Sequence, residues 1–167
     1  MSVVCQTLFD KRDKVIVFTP YWVSFPEFVR IAGATPLLID TVAERQFEPD
    51  FEDLNKKIDS SIKGVIINSP SNPTGGVWSD KAIKKLLKIC KKNNWVVISD
   101  ETYEELVYDS EFKAIQTLDD YGCEIITIRS MSKTYAMTGW RIGYTTADKN
   151  IVKAMSKIQG QTTSVSY

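Results

Sequence analysis

The feature that most constrains the fold is Gly64–Asn68 (GVIIN), a short, almost unbroken apolar run rich in β-branched residues. A strand with one wet face alternates apolar and polar side chains. An unbroken run belongs in a sheet covered on both faces. Trp95–Ser99 has the same character, and further strands are predicted at Val15–Phe18, Pro36–Asp40, Ile125–Ser130 and Arg141–Thr146. Helical spacing fills the gaps at Val23–Ala32, Phe51–Ile58, Asp80–Asn93 and Asn150–Ile158. Asp80–Asn93 is the clearest of these. Ser79 stands at the N-cap position, and Ile83, Leu86, Leu87 and Cys90 fall on one face. Strands alternating with helices at this spacing give an α/β fold with a mostly parallel sheet, helices on both faces making three α/β/α layers.

The length of 167 residues suits one domain with a real core, and 43% hydrophobic with 25% charged residues is ordinary for a globular chain. Lys+Arg and Asp+Glu both total 21, so net charge gives no pull toward nucleic acid or an anionic membrane. No stretch is apolar for long enough to span a bilayer. The run Val3–Phe9 is too short for a signal peptide and leads into Asp10, Lys11 and Arg12. Cys5, Cys90 and Cys123 are widely spaced and read as free thiols in a reducing cytoplasm. Histidine is absent, which removes Ser-His and Cys-His nucleophiles and His-ligated metals; no metal site is expected. Catalysis here must rest on Lys, Asp, Tyr, Ser or a cofactor.

In open α/β sheets ligands sit beyond the carboxyl ends of the strands. Three loops in that position are unusual. The first, Ser69-Pro70-Ser71-Asn72-Pro73-Thr74-Gly75-Gly76, presents Asn72 on a path restricted by proline and glycine. The second, Asp100-Glu101-Thr102-Tyr103, puts a carboxylate at the end of an apolar strand, where burial is costly without a cation or donors. The third runs from Ser130-Met131-Ser132-Lys133 to Arg141. A lysine in apolar surroundings becomes a nucleophile for carbonyls. Each has an ordinary alternative: a rigid turn, an N-cap for a helix starting at Glu101, a solvated surface lysine. Their combination matches what pyridoxal 5'-phosphate (PLP) requires. A lysine forms a Schiff base with it, a carboxylate keeps its ring nitrogen protonated, and Arg and Ser hold its phosphate.

The segments SPSNPTGGV, ISDETYEELVYD and SMSKTYAMTGWRIGY resemble the class I/II aminotransferases of the fold-type I PLP enzymes, nearest to the bacterial-type aspartate and aromatic branch. FTPYWVSFPEFVRIAGATP extends the likeness over essentially the whole chain. The resemblance implies the following roles. Lys133 carries the cofactor as a Schiff base and moves the proton. Asp100 pairs with the ring nitrogen. Tyr103 and Asn72 meet the phenolic oxygen, Asn72 also the substrate carboxylate. Ser130 and Arg141 bind phosphate, and Trp22 stacks on the ring and borders the substrate. The implied reaction moves an amino group between an amino acid, aspartate-like or aromatic, and a 2-oxo acid, in a homodimer when the protein is full length.

The family pattern also contains a glycine-containing phosphate turn, a preceding strand and a partner-subunit tyrosine upstream. Downstream it has a small domain with an arginine for the substrate carboxylate. None of these is in the sequence, so residues 1–167 are expected to be part of a large domain, cut from a longer protein, with Arg141–Thr146 as an open sheet edge. The isolated chain is expected to bind PLP weakly or not at all and to be a poor transaminase. Competing readings are a PLP lyase or synthase of the same fold, and a non-catalytic remnant. A third is a binding module using Lys81, Lys84, Lys85, Lys88, Lys91 and Lys92, whose plainer explanation is a solvated helix face.

Overall fold

The computed structural model describes residues 1–162. The chain opens with α1 (Ser2–Leu8), then β1 (Lys14–Phe18), α2 (Ser24–Ile31) and β2 (Thr35–Ile39). A small antiparallel ladder, β3 (Thr41–Val42) with β4 (Glu48–Pro49), precedes α3 (Phe51–Lys57) and β5 (Ile62–Asn68). There follow α4 (Asp80–Asn93), β6 (Val96–Asp100), β7 (Ile125–Ser130), the single turn α5 (Met131–Thr134), β8 (Gly143–Thr146) and α6 (Lys149–Thr162). The main sheet has six strands in the order β2-β1-β5-β6-β7-β8. All neighbours are parallel except β7 and β8, which pair antiparallel with Ser130 opposite Gly143. This is the expected three-layer α/β fold.

The apolar strands are sandwiched as their composition requires. On one face Ile66, Ile98 and Ile126 pack with Val4 and Cys5 of α1 and Phe25 and Val29 of α2. On the other, Val65, Ile67 and Val97 pack with Leu54 of α3 and Ile83, Leu86, Leu87 and Cys90 of α4. Each such side chain, fully buried, contributes roughly 1.5–3 kcal/mol. Gly64 leaves room for this packing, since a Cβ there would lie 2.5 Å from the Phe9 ring. The register between β5 and β6 sets Asn68 beside Asp100, so two of the informative loops start side by side.

Helix α4 has the predicted bounds, and the Ser79 hydroxyl accepts from the Ala82 N–H at 3.2 Å. Three of its six lysines have partners within the chain. Lys84 meets Asp120 at 2.6 Å, Lys85 lies 4.0 Å from the Phe51 ring centroid, and Lys91 donates to the Gly122 carbonyl. The last strand is shorter than predicted. Arg141 is left-handed (φ 56°), which breaks the extended path, so the ladder begins only at Gly143. Helix α6 is longer than predicted at both ends, and residues 163–167 lie outside the described residues. Among those described, no helix is long and apolar enough to cross a membrane, and no group of His, Cys, Asp and Glu is arranged to hold a metal. Cys5 and Cys90 are free and buried, Cys123 free and half-buried.

Candidate active site

The carboxyl ends of β5, β6 and β7 open onto a cleft of about 310 Å³. Trp22, Asn72, Asp100, Tyr103, Ser130, Lys133 and Arg141 all line it, so every residue singled out by the sequence comes to one place. They arrive from the segment before α2 and from the loops after three separate strands. The cleft adjoins a wider groove of about 570 Å³ bordered by α1, β8 and α6, which shares Asp100, Ser130 and Arg141 with it.

Asp100 ends β6 and is only 7% exposed. Burial pushes its carboxyl above the ordinary aspartate range, offset in part by hydrogen bonding to Thr102. Its Oδ1 accepts from the Thr102 N–H at 3.1 Å. No helix starts at Glu101; residues 102–105 form turns, so Asp100 caps a turn and is not an N-cap. No side-chain ion pair among the described residues involves it, and the Met1 amino group offsets its burial only in part.

Ser130 ends β7 and caps α5, its hydroxyl accepting from the Ser132 N–H at 3.1 Å. Lys133 sits one turn further, on α5 and not at the strand end. Its side chain is exposed, with Nζ 5.8 Å from the Tyr103 ring centroid, and the apolar surroundings expected for it are not there. The short helix lifts the amine out over the cleft mouth. Arg141 donates from Nη1 to the Thr138 carbonyl at 2.9 Å, which leaves its other N–H groups free to face the cleft. Trp22 is 38% exposed and held edge-on by Phe25 and Phe28, with centroids at 5.5 and 5.8 Å.

Two supports of the site escaped the sequence reading. Asn68 accepts at Oδ1 from the Asn72 N–H (2.8 Å) and donates from Nδ2 to the Asp100 carbonyl (3.1 Å), tying two loops together. Glu101 is fully buried and paired with Arg129 at 2.8 Å. Period-two alternation could have found this pair, because each lies one residue from a cleft residue and so points to the opposite face.

The donor set fits PLP. A buried carboxylate with a single protein donor suits a protonated ring nitrogen. A hydroxyl and a guanidinium flank a place for a phosphate, and a primary amine stands over the mouth. The volume lies at the lower end of small-molecule sites.

An α/β sheet whose strand-end loops bring a lysine, a buried aspartate and an arginine–serine pair into one cleft presents the kind of donor set that PLP calls for. The sequence model of the family "Aminotransferase class I and II" matches residues 1–167, and the chain belongs to that family. It is 40% identical over 157 residues to aspartate aminotransferase of Thermotoga maritima, covering 94% of this chain and 42% of that protein. It superposes on a Thermus thermophilus aspartate aminotransferase double mutant with a TM-score of 0.91 and 36% identity, over 99% of this chain and 43% of the other. For the aromatic aminotransferase of Pyrococcus horikoshii the TM-score is 0.93 and the identity 33%, over 99% and 44%. The chain thus spans about two fifths of the length of the relatives it matches.

Proposed function

We propose that residues 1–167 are the cofactor-carrying part of the large domain of a PLP-dependent aminotransferase, acting between an aspartate-like or aromatic amino acid and a 2-oxo acid. The observation that carries this reading is the convergence of Lys133, Asp100, Tyr103, Asn72, Ser130, Arg141 and Trp22 on one cleft. Bound PLP supplies an electron sink for the carbon next to the amino group.

The residues of the chain do the rest. The Lys133 amine would hold the cofactor covalently and would serve as the base that takes and returns the substrate's proton. Asp100 keeps the proton on the ring nitrogen, and its buried setting makes that ion pair strong. Tyr103 and Asn72 donate to the ring oxygen, Asn72 also to the substrate carboxylate. Arg141 and Ser130 would hold the phosphate, and Trp22 would pack against the ring. The longer protein is expected to be a cytoplasmic homodimer, its free thiols kept reduced.

A single-turnover experiment tests this. The 167-residue chain, loaded with excess PLP, is mixed with aspartate, and 2-oxo acid and pyridoxamine phosphate are quantified. Slow appearance of both in equal amounts, absent in Lys133→Ala, is the expected result. Free ammonia with unchanged cofactor would favour a lyase of the same fold, and no product with wild type equal to Lys133→Ala would favour a non-catalytic remnant.

A further inference from the structure

The cleft lies on one face of the strand ends, and the reverse face carries a charge cluster around the buried Glu101 carboxylate. Successive side chains of a strand point to opposite faces. Asp100 and Ser130 line the cleft; Glu101 and Arg129, next to them in the chain, point away from it. The Glu101 carboxylate is 0% exposed. Its Oε1 accepts from the Ser99 hydroxyl and the Ile115 N–H, both at 3.0 Å. Its Oε2 accepts from Arg129 Nη2 at 2.8 Å and Nε at 3.2 Å. The same Nε lies 3.1 Å from Glu104 Oε2. A carboxylate with a donor on every lone pair has one orientation, and a planar guanidinium shared by two carboxylates has little freedom left. The Glu101 N–H also donates to the Ile128 carbonyl at 2.9 Å, so backbone and side chain lock the two strand ends together.

We propose that the Glu101–Arg129 pair is a positioning device for the cleft, fixing the separation of Asp100 on β6 from Ser130 on β7 and so favouring a ligand that must reach both. The inference rests on the proposed cofactor. Asp100 and Ser130 are assigned to the ring nitrogen and the phosphate, opposite ends of one small rigid molecule. Such a ligand cannot absorb an error in their spacing, whereas one lacking the phosphate does not sense it.

The paired replacement Glu101→Gln/Arg129→Gln removes the fully buried charge together with its partner and leaves only the half-buried Glu104 unpaired. Dissociation constants for PLP and for pyridoxal, which lacks the phosphate, are measured with the wild-type chain, this variant and Arg129→Lys, alongside a circular-dichroism melt. PLP binding is expected to weaken about 10-fold in the paired variant, and pyridoxal binding by less than about 2-fold. Arg129→Lys keeps the charge but not the planar fork and is expected to move in the same direction by about 3-fold. A pair with only a structural role would weaken both ligands alike or neither, and that result overturns the proposal. If the paired variant does not fold, Arg129→Lys decides by the same comparison. A wild-type chain that binds neither aldehyde overturns this inference for residues 1–167 and leaves the cofactor reading to the longer protein. A wild-type chain that binds both, with variants that keep its preference for PLP, overturns this inference alone.

Discussion

The Asn68 side-chain amide donates to the Asp100 main-chain carbonyl at 3.1 Å, across the register that pairs the last residues of β5 and β6. Because the same side chain accepts from the Asn72 N–H, one residue outside the expected set controls how two of its members face each other. Asn68→Ala is expected to lose two hydrogen bonds, about 1–3 kcal/mol in total. Asn68→Asp keeps an acceptor for Asn72 but sets a carboxylate oxygen against the Asp100 carbonyl and is expected to lose more. Denaturant melts and PLP titrations of both variants check this ordering.

Asp100 links stability to pH in the less common direction for a carboxylate. Burial raises its pKa above the unfolded value, so between the two the folded chain binds more protons than the unfolded one. Its contribution is most favourable below the ordinary aspartate pKa of about 3.9 and is lost as pH rises through the folded value. Asp100→Asn is therefore expected to raise the melting temperature of the cofactor-free chain at pH 7.5, by about 2–4 °C for each kcal/mol recovered. The gain should shrink toward pH 4, and PLP binding should fall in the same variant. A gain that grows as pH falls would contradict this account of Asp100. A site residue that costs stability is the expected sign of a group kept for function.

Gly64 and Phe9 share one volume. The Cβ of Gly64→Ala would meet the Phe9 ring at 2.5 Å and the Val96 carbonyl at 3.2 Å, and Phe9 is itself buried. Overpacking of this kind costs about 1–3 kcal/mol. Adding Phe9→Leu to Gly64→Ala should recover part of the loss, and urea midpoints of the single and paired variants measure it.

Ser79 supplies the N-cap of α4. Ser79→Ala is expected to cost about 1 kcal/mol with PLP binding unchanged, since α4 packs on the face away from the cleft. The comparison separates loss of fold from loss of site: Ser79→Ala should move the melt alone, Asn68→Ala both the melt and the binding.

Much of this was legible in the residues. Strand β7 and helix α4 have their predicted bounds because periodicity and a capping serine agree there. Strand β5 starts two residues before the expected Gly64, at Ile62, because exposed Lys63 interrupts the apolar signal on which the prediction rests. The β3–β4 ladder was invisible, since two residues per strand carry no period. The cleft residues were found because each follows an apolar strand and matches a known pattern. Asn68 and the Glu101–Arg129 pair were not. Asn68 has the signal of a strand end and no more, and Glu101 adjoins the stronger signal of Asp100. Only register across strands gives these residues a role.

In the proposed function Lys133 is the amine that takes the cofactor. The most direct test is to treat the chain with PLP, reduce it with borohydride and map the labelled peptides. One dominant label on Lys133, lost in Lys133→Ala and weakened in Asp100→Asn, is the predicted result. Label spread evenly over exposed lysines such as Lys81 and Lys88, unchanged by either substitution, would contradict it.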